Sequence, residues 1–263
     1  MRIIDCHAHV YPDKIAGKAS DAIGDFYNIK MAHDGTAASL LKSGERNGVT
    51  GHIIHSVATI PEQVRTINDF IAKTVRENPE RFIGFATLIP GMDGLEKEIE
   101  RIRELGLKGV KLHPDFQKFN IDDPVCDRMY GLLEGNLPLL IHTGDGRYER
   151  AFSSPKRIAP VTGKFPELKI ICAHFGGYTE WDIAAEALAG KNVWADTSSS
   201  LSYIGKKKTR ELISLFGENK VVFGTDYPMW DAGSEIEMIM SLGLGEETAE
   251  KIFWKNISDL IGI

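Results

Sequence analysis

The chain has 263 residues, 43% of them hydrophobic and 26% charged, a balance that excludes a disordered, collagen-like or low-complexity polypeptide and supplies one large core. Lys and Arg number 31 against 37 Asp and Glu, for a net charge of −6, and no run of like charge exceeds Lys206-Lys207-Lys208, so nucleic acids and acidic membranes are poor partners. Cys6, Cys126 and Cys172 show no CxxC spacing, and no apolar run reaches the ~18 residues of a membrane span, so a reducing, cytoplasmic setting without a signal peptide is expected.

Short apolar, β-branched runs alternate along the chain with stretches long enough for helices, which is the pattern of βα units around a parallel sheet. They cover Ile3 to Val10, Val49 to Val57, Phe82 to Ile89, Leu107 to His113, Leu137 to Thr143, Leu168 to Phe175, Val193 to Thr197 and Val221 to Asp226. Pro12, Pro90, Pro114, Gly144, Gly176 and Pro228 cut off most of them. Pro61 opens a helix on which Val64, Ile67, Ile71 and Val75 share a face, and Pro79 closes it. From Asp93 to Leu105 the residues Leu95, Ile99, Ile102 and Leu105 keep helical spacing, with Gly106 as the stop, and Glu246 to Ile261 reads as a final helix. Eight such repeats predict a single-domain (β/α)8 TIM barrel over residues 1–263. Tyr11 to Thr36 is longer than an ordinary βα connection and is a candidate lid or substrate loop at the mouth, the alternative being a surface excursion with a short helix.

Five histidines, His7, His9, His113, His142 and His174, fall at or beside the C-terminal ends of the proposed strands, where barrel active sites form. Residues i and i+2 of a strand face the same way, so His7 and His9 are expected to project together into the mouth, with Cys6 and Ala8 turned to the helices. His142 ends the fifth run, His174 the sixth and Asp226 the eighth. Each alone would pass for a polar strand terminus. Together, imidazoles and a carboxylate at one end of strands one, five and eight converge on one ring. Three neutral imidazoles and a carboxylate suit Zn2+ best, with Mn2+, Fe2+ or Co2+ as alternatives, and leave a position for water. Such a metal activates water and polarises a carbonyl.

These residues are similar to the motifs of the amidohydrolase superfamily, and within it the amidohydrolase-2 (aminocarboxymuconate semialdehyde decarboxylase-like) branch. The resemblance runs through Asp5-Cys6-His7-Ala8-His9, Gly109-Val110-Lys111-Leu112-His113-Pro114, Ile141-His142-Thr143-Gly144, Ala173-His174-Phe175-Gly176-Gly177 and Gly224-Thr225-Asp226-Tyr227-Pro228 to Lys255-Asn256-Ile257. It implies one divalent metal on His7, His9, His142 and Asp226, with Asp226 also moving a proton and His174 close to the reacting groups. A second metal on a carboxylated Lys111 is the less favoured variant; otherwise Lys111 and His113 are polar pocket groups. Arg147 is a candidate partner for a substrate carboxylate. Tyr227 and Trp230 could form an aromatic wall, and His55 could reach the pocket, whereas His33 and His52 carry no pattern that separates them from surface residues. Cys6 and Cys172 read as small buried residues beside ligands.

The leading expectation is a metal-dependent hydrolase acting on an amide, ester or lactone of a small organic molecule with metal-activated water. The alternative is nonoxidative decarboxylation of an aromatic or unsaturated carboxylic acid, and a noncatalytic metal-containing scaffold is a third reading. The partner is a small-molecule substrate, and barrels of this size often pair as homodimers.

Overall fold

Each β-rich run becomes a short strand, and the strands pair side by side in chain order. In the computed structural model, which describes residues 1–263 apart from the side chains of residues 148–150, these are β1 (Ile4–His9), β2 (Gly51–His55), β3 (Phe82–Ala86), β4 (Gly109–Leu112), β5 (Leu139–Ile141), β6 (Ile170–Cys172), β7 (Val193–Asp196) and β8 (Val221–Val222). Every pairing is parallel, in the order β1 to β8. The segment after β8 returns to β1: the Cys6 N–H donates to Phe223 O at 2.9 Å and the His9 N–H to Tyr227 O at 2.7 Å, and this closes the ring. The expected TIM barrel is thus observed as a single domain.

Two helices, α1 (Asp13–Tyr27) and α2 (Ala37–Asn47), lie between β1 and β2, and the next ones form where the patterns place them. Pro61 begins α3 (Pro61–Glu77), which buries Val64, Ile71 and Ala72. In α4 (Leu95–Glu104), Leu95, Ile99 and Ile102 face inward, and Gly106 follows at φ +76°, a left-handed conformation that a residue without Cβ adopts freely. The last segment is a continuous helix from Glu246 to Ile261 with a π turn at Lys251–Lys255. Among the described residues, no helix is long and apolar enough to cross a membrane.

The packing has two layers. Alternate strand residues such as Ala8, Ile54, Val110, Leu139 and Ile170 join the outer core beneath the helices. A smaller cluster fills the barrel's interior: Ile4, Cys6, Ile53, Phe85, Leu140, Ile171, Ala173 and Val222, closed by Ile257, Leu260 and Ile261 of the last helix. Lys169, just ahead of β6, donates to Leu260 O at 3.1 Å, so that helix covers the N-terminal end of the barrel. An apolar floor therefore lies under a polar mouth.

One expectation is corrected here. Cys6 packs in the interior cluster rather than toward the helices, although Ala8 does face the outer core. The pairing of β1 with β2 shifts register between Asp5 and Ala8, and this irregularity lets both Cys6 and His7 point inward.

Candidate active site at the barrel mouth

The strand ends bring three of the expected side chains together. His7 Nε2 lies 3.3 Å from His9 Nε2 and 3.4 Å from Asp226 Oδ1, and His9 Nε2 lies 3.6 Å from that same oxygen. His7 Nδ1 donates to Asp196 Oδ2 at 2.8 Å, which fixes the proton on Nδ1 and leaves the Nε2 lone pair aimed at His9 and Asp226. Asp226 Oδ2 accepts from Ser199 Oγ at 2.6 Å, and Trp230 Nε1 donates to Ser199 Oγ at 2.8 Å. Asp226 itself sits at φ +62°, a sparsely populated conformation that aims its carboxylate back over β1.

His142 and His174 complete one wall. His142 Nδ1 is 3.0 Å from His174 Nε2, while His142 Nε2 donates to Gly144 O at 2.8 Å. His174 Nδ1 lies 2.9 Å from Ser198 Oγ, and the His174 N–H donates to Asp196 Oδ1 at 3.0 Å. His142 thus shares the cavity with His7, His9 and Asp226, but its ring nitrogens are engaged elsewhere. His113 stacks on His142 with ring centroids 3.9 Å apart and on Phe116 at the same distance, and Tyr27 OH bonds to its Nε2 at 3.0 Å.

Burial governs the charges. His7, His9, His113 and His142 are all held well below the usual imidazole range, because leaving water penalises the cation, and the neighbouring Lys111 charge or other imidazoles add to this. His174 falls to about 4, again mainly by burial. The same desolvation raises Asp226 to about 6 and lowers Lys111 to about 8. Neutral imidazoles beside a carboxylate are what a divalent cation requires. The donor set His7, His9 and Asp226, with His7 Nε2 turned inward and Lys111 Nζ the neighbour an ion would displace, therefore fits such an ion.

The cavity above these groups is lined by Ile23, Tyr27, Met31, Phe116, Tyr178, Pro228 and Met229 as well as by the histidines. Of the other expected groups, Lys111 is fully buried below the mouth with Nζ 3.1 Å from His7 Nε2. Arg147 does not line the cavity; it pairs with Asp145 through Nε at 2.8 Å and through a second close contact from Nη2. The guanidinium expected to meet a substrate carboxylate is thus held in this structure by an acid two residues away. Tyr227 donates to Thr36 O and packs away from the cavity, and Trp230 reaches it only through Ser199. His55 is buried with its ring 4.4 Å from that of His9. His52, expected to be no different from a surface residue, is buried beside Asp5. Cys6 and Cys172 are free and buried.

Sequence reasoning missed Asp196 and Ser199. Asp196 ends an apolar strand as His142 and Asp226 do, so the same reasoning would have found it. Ser199 lies in a run of three serines, which gives no signal of its own.

A parallel eight-stranded barrel with imidazoles and a carboxylate gathered at the C-terminal ends of its strands defines the class of protein. The chain belongs to the Amidohydro_2 family, described as amidohydrolase, whose sequence profile matches residues 4–263. It is 28% identical to the 2-amino-3-carboxymuconate-6-semialdehyde decarboxylase of Dictyostelium discoideum over 240 residues, 75% of this chain and 66% of that protein. It is 26% identical to the gamma-resorcylate decarboxylase of Polaromonas sp. over 256 residues, 76% of each. Its fold matches the crystal structure of a dihydroxybenzoic acid decarboxylase from Polaromonas sp. JS666, with bound manganese and the inhibitor 2-nitroresorcinol, at a TM-score of 0.76 and 16% identity, over 99% of this chain and 97% of that one.

Proposed function

We propose that this protein is a metal-dependent nonoxidative decarboxylase of a small aromatic or unsaturated carboxylic acid. The observation that carries the reading is the convergence of His7 Nε2, His9 Nε2 and Asp226 Oδ1 within 3.6 Å of one another beneath an aromatic-lined cavity. Both curated relatives are named as decarboxylases, which favours this reaction over the hydrolysis expected first from sequence.

His7, His9 and Asp226 would hold one divalent ion, with His142 as a further ligand once released from Gly144 O. A manganese ion in the related fold makes Mn2+ a candidate beside Zn2+. Bound there, the ion supplies positive charge for a substrate carboxylate or adjacent oxygen. Asp196 keeps the Nδ1 proton of His7 and so holds that ring in its ligating orientation. Tyr27, Phe116 and Met229 line the cavity and would pack against the substrate ring once the mouth has opened to admit it. In the reaction the bond from ring carbon to carboxylate breaks, its electron pair stays on the carbon, carbon dioxide leaves and a proton is delivered to that carbon. Asp226 and His174, which both line the cavity, would carry that proton.

The reading is tested by incubating the purified protein, loaded with Mn2+ or Zn2+, with dihydroxybenzoic acids and measuring carbon dioxide release. Release that is lost on chelation and restored by the ion is expected. Turnover of esters or lactones with no decarboxylation would overturn it.

A further inference from the structure

We propose that Arg147 is a positioning residue that latches the helix after β1 over the active-site mouth, and that this helix must swing out to admit substrate. The helix is α1 (Asp13–Tyr27), inside the long segment flagged by sequence. Its last turn and the residues after it supply Ile23, Tyr27 and Met31 to the roof of a cavity of about 30 Å3. An apolar cavity that takes up benzene measures ~150 Å3, so the mouth as it stands has no room for a six-membered ring. Something must move, and α1 is the weakly held wall. Its fully buried residues are the small Ala16, Ser20 and Gly24, so the contacts of Phe26 and Tyr27 in its last turn carry most of its attachment.

What fastens its end comes from elsewhere in the chain. The last carbonyls of a helix lack intrahelical partners and carry a partial negative charge, and α1 has no basic residue in its last turn. Arg147 fills both roles from the β5 loop. Its Nη1 donates to Phe26 O at 3.1 Å, and its guanidinium carbon lies 5.0 Å from the Phe26 ring centroid and 5.6 Å from that of Tyr27. Its remaining donors grip Asp145, which is buried. With this clasp shut, Tyr27 OH reaches His113 Nε2 at 3.0 Å and its ring meets Tyr178 edge-on at 5.6 Å. The residue that resembles a substrate anchor in sequence thus acts on the lid.

The test is hydrogen exchange of the whole protein without substrate, so its outcome is independent of which reaction the site performs. In Arg147→Ala, amides of α1 should exchange about tenfold faster, the equivalent of ~1.4 kcal/mol, while those of β4 and β5 keep the parental rate. Arg147→Lys, which keeps the charge but not the planar fork, should lie between. With a dihydroxybenzoic acid as probe substrate, KM should rise more than kcat falls in both variants. Parental α1 exchange in Arg147→Ala would overturn the proposal. If Arg147→Ala loosens the strands as well, Arg147→Lys decides: selective loosening of α1 supports the latch, and unchanged α1 exchange refutes it.

Discussion

Replacing Asp196 with Asn should cripple metal binding while leaving the fold in place. Asp196 Oδ1 accepts from the His174 N–H at 3.0 Å, the Ser198 N–H at 3.0 Å and Ser198 Oγ at 2.5 Å, so only an oxygen can occupy that position. The Asn amide nitrogen is thereby forced to the other position, facing His7 Nδ1, where Asp196 Oδ2 accepts at 2.8 Å. Two N–H groups cannot face each other. His7 must then carry its proton on Nε2, the atom 3.3 Å from His9 Nε2 and 3.4 Å from Asp226 Oδ1, and its ligating lone pair is lost. Removing the carboxylate that orients a histidine ligand typically weakens metal affinity by about 10–100-fold, or ~1.4–2.7 kcal/mol. Asn is chosen over Ala because Ala would strand buried donors, each worth about 1–3 kcal/mol, and confuse binding with unfolding. Competition of parent and variant against a chelator measures the affinity ratio, and thermal melting of the metal-free proteins checks the fold. An Asn variant that binds Mn2+ or Zn2+ as tightly as the parent would refute the assignment of His7 Nε2 as a ligand atom.

Elemental analysis of His7→Ala should show loss of bound metal together with activity. Asp226→Asn should lower turnover by about 100-fold or more, because a proton carrier and a ligand charge go together, with stopped assays on the metal-saturated variant as the check. Gly144→Ala should destabilise the fold by about 2 kcal/mol or more in denaturant titrations: the residue is at φ +84°, and a Cβ there would stand 2.4 Å from the Tyr178 backbone nitrogen, which has no freedom to yield. Glu235 predicts a pH effect. Burial first, then the charges of Asp5 and Asp226, raise its carboxyl from 4.5 to about 8, so the native state holds a proton that the unfolded chain releases. Stability should therefore decline as pH rises from about 4.5 to about 8, and Glu235→Gln should flatten that decline in melting curves taken across the range.

The strands were legible because a parallel barrel buries both faces of each, which writes near-continuous apolar runs into the chain. Their polar last residues were legible for the same reason: His142 and Asp226 stand out only because what precedes them is apolar. The β1 irregularity was not, since a register shift depends on how β2 pairs and leaves Asp5-Cys6-His7 unmarked; alternation alone sent Cys6 to the wrong side. The length of the helix after β1 was hidden too. Its buried stripe is Ala16, Ser20 and Gly24, correctly spaced for a helix but too small to register as apolar periodicity. Arg147 was read in isolation, and its partners Asp145 and Phe26 are respectively two residues and 121 residues away, so one was overlooked and the other invisible.

The placement of the site on an apolar floor has a chemical consequence. Ile4, Ile53, Leu140, Ile171 and Val222 fill the barrel beneath the mouth and keep water out from below, while α1 and its aromatic residues screen it from above. In that setting an imidazolium is penalised more heavily than a neutral imidazole, and each added positive charge penalises the next, as Lys111 does for His7 and His9. A protonated histidine cannot ligate. The core that stabilises the barrel thus also keeps the ligand nitrogens bare, whereas an isolated cluster of exposed histidines would be largely protonated below about pH 6.5. It follows that a charge placed in the floor, such as Leu140→Lys, would damage the site twice: by breaking the packing under it, and by altering the field that holds its histidines neutral.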